Sequence, residues 1–293
     1  MSSILTNTSA MNALSALRAV NMNLDTTQNR ISTGLKVESA VDNAAYFSIS
    51  ETMKSDNAMY SAIDEGLTLT RNSVSTARLG TETVVDFASQ ISDRVAFAQS
   101  NGVDRDKVQS EIEGLVTQVR TTIEQATFNG DDLVNAAGVS APPAADYGSA
   151  PAAFSTVSVV TGVTRAGGTF AATSIEVNGV DLAQILGNLD AIDVAGATSA
   201  AALETQLQNA ETTLGFVTEM ATSLGVAEKS IENQQEFLTQ LTDNIDTGIG
   251  KMVDANMEEE AARLKSLQVQ QQLANQALSI ANNGPQQLLT LFR

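Results

Sequence analysis

Both ends of this chain carry a seven-residue apolar repeat, and a helix built that way cannot bury its stripe alone. At the N-terminus Ala10, Leu17, Leu24 and Ile31 fall seven apart, with Leu14 and Leu35 on the flanking row. At the C-terminus Met257, Leu264 and Leu278 form one row, and Leu267, Ala274, Ala281 and Leu288 form another. A heptad stripe needs a facing helix to cover it. The two ends are therefore expected to pair with each other or with other copies of the chain. Function is expected in an interface rather than in a cleft.

Composition closes several alternatives. With 293 residues the chain can hold two modest domains and a real core. Aromatic residues are only 4% and Trp is absent, so that core must rest on Leu, Ile, Val, Met and Ala. A net charge of −18 argues against nucleic acid or an anionic membrane as partner, because both would be repelled. Cys and His are both absent, so no disulfide framework, Cys–His zinc site or Ser–His–Asp triad can be assembled. Nothing in the sequence calls for a metal or a cofactor, and we read the chain as a non-enzyme. No apolar run is long enough to span a bilayer. The opening MSSILTNTSAMNALSALR lacks the basic-then-apolar layout of a cleaved secretory signal. An exported chain would leave by a route that removes no such peptide.

Periodicity and breakers predict helix, insert, helix. A first helix is predicted from about Ala10 to Ile31, ending at Ser32-Thr33-Gly34. A second starts near Asp42 and Asn43, both of which can cap a helix, and continues to about Gln99. Asn101-Gly102 breaks it. Asp104 is expected to cap a third helix to about Ala126, and Phe128-Asn129-Gly130 then turns the chain. Between about Ala136 and Ser199 the composition shifts, and three of the four prolines lie there (Pro142, Pro143, Pro151). Phe154 to Val160 and Ile175 to Val177 read as short strands, Gly167-Gly168 and Asn178-Gly179 as turns, and Leu182 to Leu189 as a short helix. Helix resumes at Thr198, with an expected interruption at Gly248-Ile249-Gly250. A last helix runs from about Asp254 to Asn282 and is expected to close at Asn283-Gly284-Pro285. The run Glu258-Glu259-Glu260 reads as acidic residues complementing a helix N-terminus rather than as a metal cluster. The fold class is thus mainly α: long antiparallel helices, a terminal coiled coil and a small insert with β-structure.

Several segments resemble the bacterial flagellins. They are Arg30-Ile31-Ser32-Thr33-Gly34-Leu35-Lys36-Val37, Ser39-Ala40, Asp42-Asn43-Ala44-Ala45, and the turn Thr127-Phe128-Asn129-Gly130. Near the C-terminus Asp254-Ala255-Asn256 with Glu260 is similar to the same family. So is the ending from Gln276-Ala277-Leu278 through Pro285-Gln286 to Leu288-Leu289-Thr290-Leu291-Phe292-Arg293. The short middle and the phrase from Asp42 to Ile49 look most like alphaproteobacterial members.

The resemblance implies an architecture. Residues 1–40 and 254–293 would form an inner terminal coiled coil, 41–135 and 199–253 a helical rod, and 136–198 a small variable outer domain. It also implies the function: a self-assembling subunit of the extracellular flagellar filament, exported without a cleaved signal peptide. Partners would be many copies of itself, with other flagellins, a filament cap, junction proteins and an export chaperone. Elementary physics points the same way, since a lone 25–30-residue amphipathic helix is marginal in water and folds when neighbours cover its stripe. The residues expected to carry self-assembly are Leu14, Leu17, Leu24, Ile31, Leu264, Leu267, Gln271, Leu278, Leu288, Leu291 and Phe292. Gln271 sits on the Leu264–Leu278 row, where a polar residue in an apolar seam fixes register. The glutamines Gln268, Gln270, Gln272 and Gln276 are placed to hydrogen-bond between copies or to line a wet channel. Four large apolar residues among the five from Leu288 to Phe292 would be costly to leave in water, so the tail is expected to dock. Two rivals remain at this stage: a hook–filament junction protein, and a secreted helical adhesin or glycan-binding protein with the insert as its recognition module.

Overall fold

The computed structural model describes residues 7–128, 133–134, 143–151, 156–166 and 169–291, with the side chains of 165–170 and 284–291 outside that description. The turn residues Asn129, Gly130, Gly167 and Gly168 also lie outside it. The element order is α1 (Thr8–Thr33), α2 (Ala44–Ala98), α3 (Arg105–Gln125), β1 (Thr156–Ala166), β2 (Thr169–Asn178), α4 (Leu182–Asp190), α5 (Ala200–Val253) and α6 (Met257–Leu291). The chain is mainly helical, as its periodicity predicts. Contacts gather into two units: Met1–Asn57 with Asp243–Arg293, and Ala58–Thr242.

Local chemistry sets most helix ends. Gly34 closes α1 with φ +73°, donating its N–H to the Arg30 carbonyl at 2.9 Å. A side chain there would be strained, which is why glycine ends this helix. Asn43 caps α2, its Oδ1 accepting from the Ala45 and Tyr46 N–H groups. Asp42 instead holds the preceding turn, its Oδ2 accepting from the Glu38 and Ser39 N–H groups and from the Ser39 hydroxyl. Asp104 precedes α3 but makes no capping bond; its carboxylate pairs with Lys107 at 3.1 Å instead.

Two expected breaks are absent. α5 runs straight through Gly248-Ile249-Gly250 to Val253. Helical glycine costs only about 1 kcal/mol, and here the lack of a side chain is used. A Cβ on Gly248 would stand 3.1 Å from the Met53 methyl, and one on Gly250 2.6 Å from the Asp254 carboxylate. Ile249 between them is buried. α6 likewise continues past Asn283-Gly284-Pro285 to Leu291.

The larger unit is built on the middles of α2 and α5. Leu67, Val74, Val84, Ile91 and Val95 of α2 share one core with Leu203, Val217, Leu224, Ile231 and Leu238 of α5. Val108, Ile112, Val116, Val119 and Ile123 of α3 join that core at heptad-like spacing. The two strands are longer than their β-branched centres predict. They pair antiparallel from Thr156↔Asn178 to Ala166↔Thr169, with an irregularity between Val160 and Gly162. There the Thr161 carbonyl accepts from Gln234 Nε2 at 2.8 Å, and the Val163 carbonyl from the Tyr60 hydroxyl at 3.2 Å. Helix side chains thus donate to carbonyls of the strand. Val159, Val177 and the α4 residues Leu182, Ile185, Leu186 and Leu189 belong to the same core as α2 and α5.

Candidate assembly interface

The smaller unit pairs α1 with α6, and its seam can be read off residue by residue. On α1 it runs Ala10, Ala13, Leu17, Val20, Leu24, Thr27 and Ile31, with Leu24 and Thr27 buried and the rest half-buried. On α6 it runs Glu260, Leu264, Leu267, Gln271, Ala274, Leu278 and Ala281, with Glu260 and Leu267 buried. Steps alternating three and four residues keep each row on one side of its helix. Small Ala residues on both rows let the backbones approach.

Three polar contacts cross this seam, and their order makes the pair antiparallel. Asn7 Nδ2 donates to the Ala281 carbonyl at 2.7 Å. Gln271 Nε2 donates to Asn21 Oδ1 at 2.8 Å. Arg30 Nη1 meets Glu260 Oε1 at 3.1 Å, with Arg30 Nε and Glu260 Oε2 buried and without a protein partner. A half-satisfied buried ion pair adds little stability, but breaking it strands a charge, so it punishes misalignment.

Beyond this pair the backbones are stitched together. Leu35 and Asp254 form an antiparallel bridge, Lys36 donates its N–H to the Val253 carbonyl at 2.6 Å, and Ala255 donates to the Gly34 carbonyl at 2.8 Å. Val37, Ile249 and Val253 make a small buried cluster there, with Phe47 and Met53 packed on it. Asn256 Oδ1 caps α6 by accepting from the Glu258 and Glu259 N–H groups. The acidic triplet therefore opens a helix, and Glu260 turns inward to Arg30.

A second set of large apolar residues on the same helices stays in solvent. On α6, beyond Met257 at its first residue, these are Val269, Leu273 and Ile280, at 55%, 58% and 73% exposure, on the side away from the seam. On α1 they are Met11, Leu14 and Met22. Aligned exposed apolar rows mark a contact surface. Of the residues expected to carry assembly, Leu24 and Leu267 are buried in the intrachain seam, and Leu17, Ile31, Leu264, Gln271 and Leu278 are half-buried in it. Leu14 is exposed. Leu288 and Leu291 fall on the α6 backbone with side chains outside the described residues, and Phe292 lies outside them entirely. The heptad rows alone missed Met11, Met22, Val269, Leu273 and Ile280. Their signal was apolar content beyond the two positions in seven that one seam requires, hidden among glutamines.

Little in the other unit invites a small ligand. An open groove of about 920 Å³ runs between α2 and α5, but its cations are engaged: Arg78 with Glu228 and Glu82, Lys229 with Glu232, and Arg71 with Gln235. The Glu228 and Glu82 carboxylates raise the Arg78 pKa further. Among the described residues no cluster of three acidic side chains is placed to hold a metal, and no helix is long and apolar enough to cross a membrane.

Residues 4–138 match the family described as the bacterial flagellin N-terminal helical region, and 207–292 match its C-terminal helical region. The chain belongs to the bacterial flagellin family. It is similar over its whole length to Flagellin C of Rhizobium meliloti strain 1021, at 37% identity, with all of both chains covered. It is 38% identical to a flagellin of Brucella melitensis biotype 1, again with all of both covered. Both are alphaproteobacterial flagellins, as the Asp42–Ile49 phrase anticipates. Among solved structures, a putative flagellar hook-associated protein from Vibrio parahaemolyticus aligns with 73% of this chain and 100% of its own, at 13% identity and a TM-score of 0.49.

Proposed function

We propose that this flagellin builds the flagellar filament by laying its terminal helix pair against the pairs of neighbouring copies. The observation that carries the reading is the second apolar row: α1 and α6 cover one stripe within the chain and leave another uncovered. In this reading Leu17, Leu24, Ile31, Leu264, Leu267 and Leu278 hold the pair together, and Gln271 sets its register. Met11, Leu14, Met22, Val269, Leu273 and Ile280, with the tail residues Leu288, Leu291 and Phe292, meet other copies. Contacts that repeat head to tail without closing generate a helical polymer. The terminal pair (1–40 and 254–293) lies innermost, 41–135 with 199–253 forms the rod, and 136–198 faces outward. The chain acts outside the cell and catalyses nothing. Whole-length similarity to proteins named flagellin supports a filament subunit over a junction protein. Filament cap, junction proteins, other flagellins and an export chaperone are its further expected partners.

The test compares the full-length chain with one lacking residues 1–40 and 254–293, each seeded with short filament fragments. Sedimentation and negative-stain electron microscopy should find long uniform filaments from the full-length chain alone. Filaments from the shortened chain, or none from either, would overturn the reading.

A further inference from the structure

Pro285 has no N–H, so within a helix it cannot bond the carbonyl four residues back, that of Ala281. The sequence Asn283-Gly284-Pro285 by itself reads as a helix stop, yet α6 passes through it to Leu291. The oxygen that proline strips is taken by another part of the chain: Asn7 Nδ2 donates to Ala281 O at 2.7 Å. The same carboxamide caps α1, its Oδ1 accepting from the Ala10 N–H at 3.0 Å. One side chain thus serves the first turn of the first helix and the last turns of the last, 274 residues apart in sequence. A primary amide suits both roles because it carries an acceptor and two donors on one planar group. Aspartate would cap but could not donate.

We propose that Asn7 and Pro285 form a clasp that makes α6 continue past residue 285 only while the start of α1 is docked. Proline frees the Ala281 carbonyl and asparagine claims it. Without the docked Asn7, α6 is expected to stop at Asn283-Gly284-Pro285, as its local sequence dictates. Without the proline, the carbonyl is used inside the helix and the two ends lose their dependence on each other. The clasp lies within one chain, so it stands apart from the assembly reading.

Hydrogen–deuterium exchange on the full-length chain, free and pelleted as filament, tests it in a mutant cycle of Asn7→Asp, Pro285→Ala and the pair. Asn7→Asp should speed exchange across 282–291 about five- to ten-fold, the loss of one hydrogen bond, while the first turn of α1 stays protected because aspartate still caps. With Pro285→Ala present, Asn7→Asp should change exchange in α6 by less than about two-fold, because the carbonyl already has its helical donor. An equal effect of Asn7→Asp in both backgrounds, or one confined to α1, overturns the clasp. Unprotected exchange of 278–291 in both states of the native chain overturns it as well. Coupling in a free chain that forms no filament supports the clasp and counts against the assembly reading. Filaments without coupling sink the clasp alone.

Discussion

Asp42 and Asn43 show how adjacent residues of similar chemistry divide two roles. Asn43 caps α2, while Asp42 gathers the Ser39 N–H, the Ser39 hydroxyl and the Glu38 N–H on one carboxylate oxygen. Those donors, the Ser39 N–H first, hold the Asp42 carboxyl below its ordinary value. A lowered pKa means the stabilisation is complete above the usual aspartate range of about 4 and is lost as pH falls through the lower folded value. The Ser39 amide should therefore exchange slowly, relative to its intrinsic rate, at neutral pH and lose that protection only as the pH falls below the ordinary aspartate range; Asp42→Asn should abolish the pH step. Glycines in one helix give a second residue-scale contrast. A Cβ on Gly80 would meet Ala126 Cβ at 2.5 Å, whereas one on Gly66 would meet nothing within 4 Å. Gly66→Ala should stabilise by about 0.5–1 kcal/mol, and Gly80→Ala should destabilise by about 1–3 kcal/mol. Thermal unfolding of the two variants should thus shift in opposite directions. Both glycines look alike in sequence; only the neighbour of Gly80 separates them.

At the scale of elements, much of the fold was legible because apolar period and breaker chemistry agree. α1, α2, α3 and α4 begin and end within a few residues of their expected positions, with Gly34 closing the first and Asn101-Gly102 following the second. What could not be read was whether a weak breaker prevails. Gly248, Gly250 and Pro285 each disfavour helix locally, yet long-range contacts offset them: Met53 against Gly248, and Asn7 on the Ala281 carbonyl. The seam of α1 and α6 was legible as heptads, but a row rich in Ala and Leu does not distinguish its register from one slipped by seven residues. Gln271 on Asn21 supplies the distinction, since a slip in either direction would set the Asn21 amide against Leu264 or Leu278. Gln271→Leu should keep the helix content and broaden the register. The chain has no cysteine, so spin labels can be placed at single introduced cysteines, for instance at exposed Ser15 and Gln276. One narrow distance distribution should become two or more; an unchanged one would remove Gln271 from the register role.

The whole molecule separates charge from contact surface. Twenty-three of the 34 acidic residues but only eight of the 16 basic ones lie between Ala58 and Thr242, so that unit holds most of the negative charge. Residues 266–292, by contrast, contain no charged side chain at all, and neither do residues 1–17. Many such ends can gather without mutual repulsion, while the acidic units keep free chains apart. Salt should then favour assembly: raising ionic strength from about 0.01 to 0.15 M shortens the screening length from about 30 to 8 Å. Seeded sedimentation should yield more pelleted chain at the higher value. The seam and the exposed row should also fail differently. Leu267 is buried within the chain, so Leu267→Ala should destabilise the α1–α6 pair itself by about 2–5 kcal/mol and impair assembly as a consequence. Leu273 and Ile280 are in solvent, so Leu273→Ser with Ile280→Ser should leave the single chain's melting curve within about 0.5 kcal/mol of the native one. The same pair of substitutions should still cut filament yield sharply, because each copy repeats the lost apolar contact at every neighbour. Filaments of normal yield and length from the double variant would show that this row faces water in the polymer, and that the copies meet elsewhere.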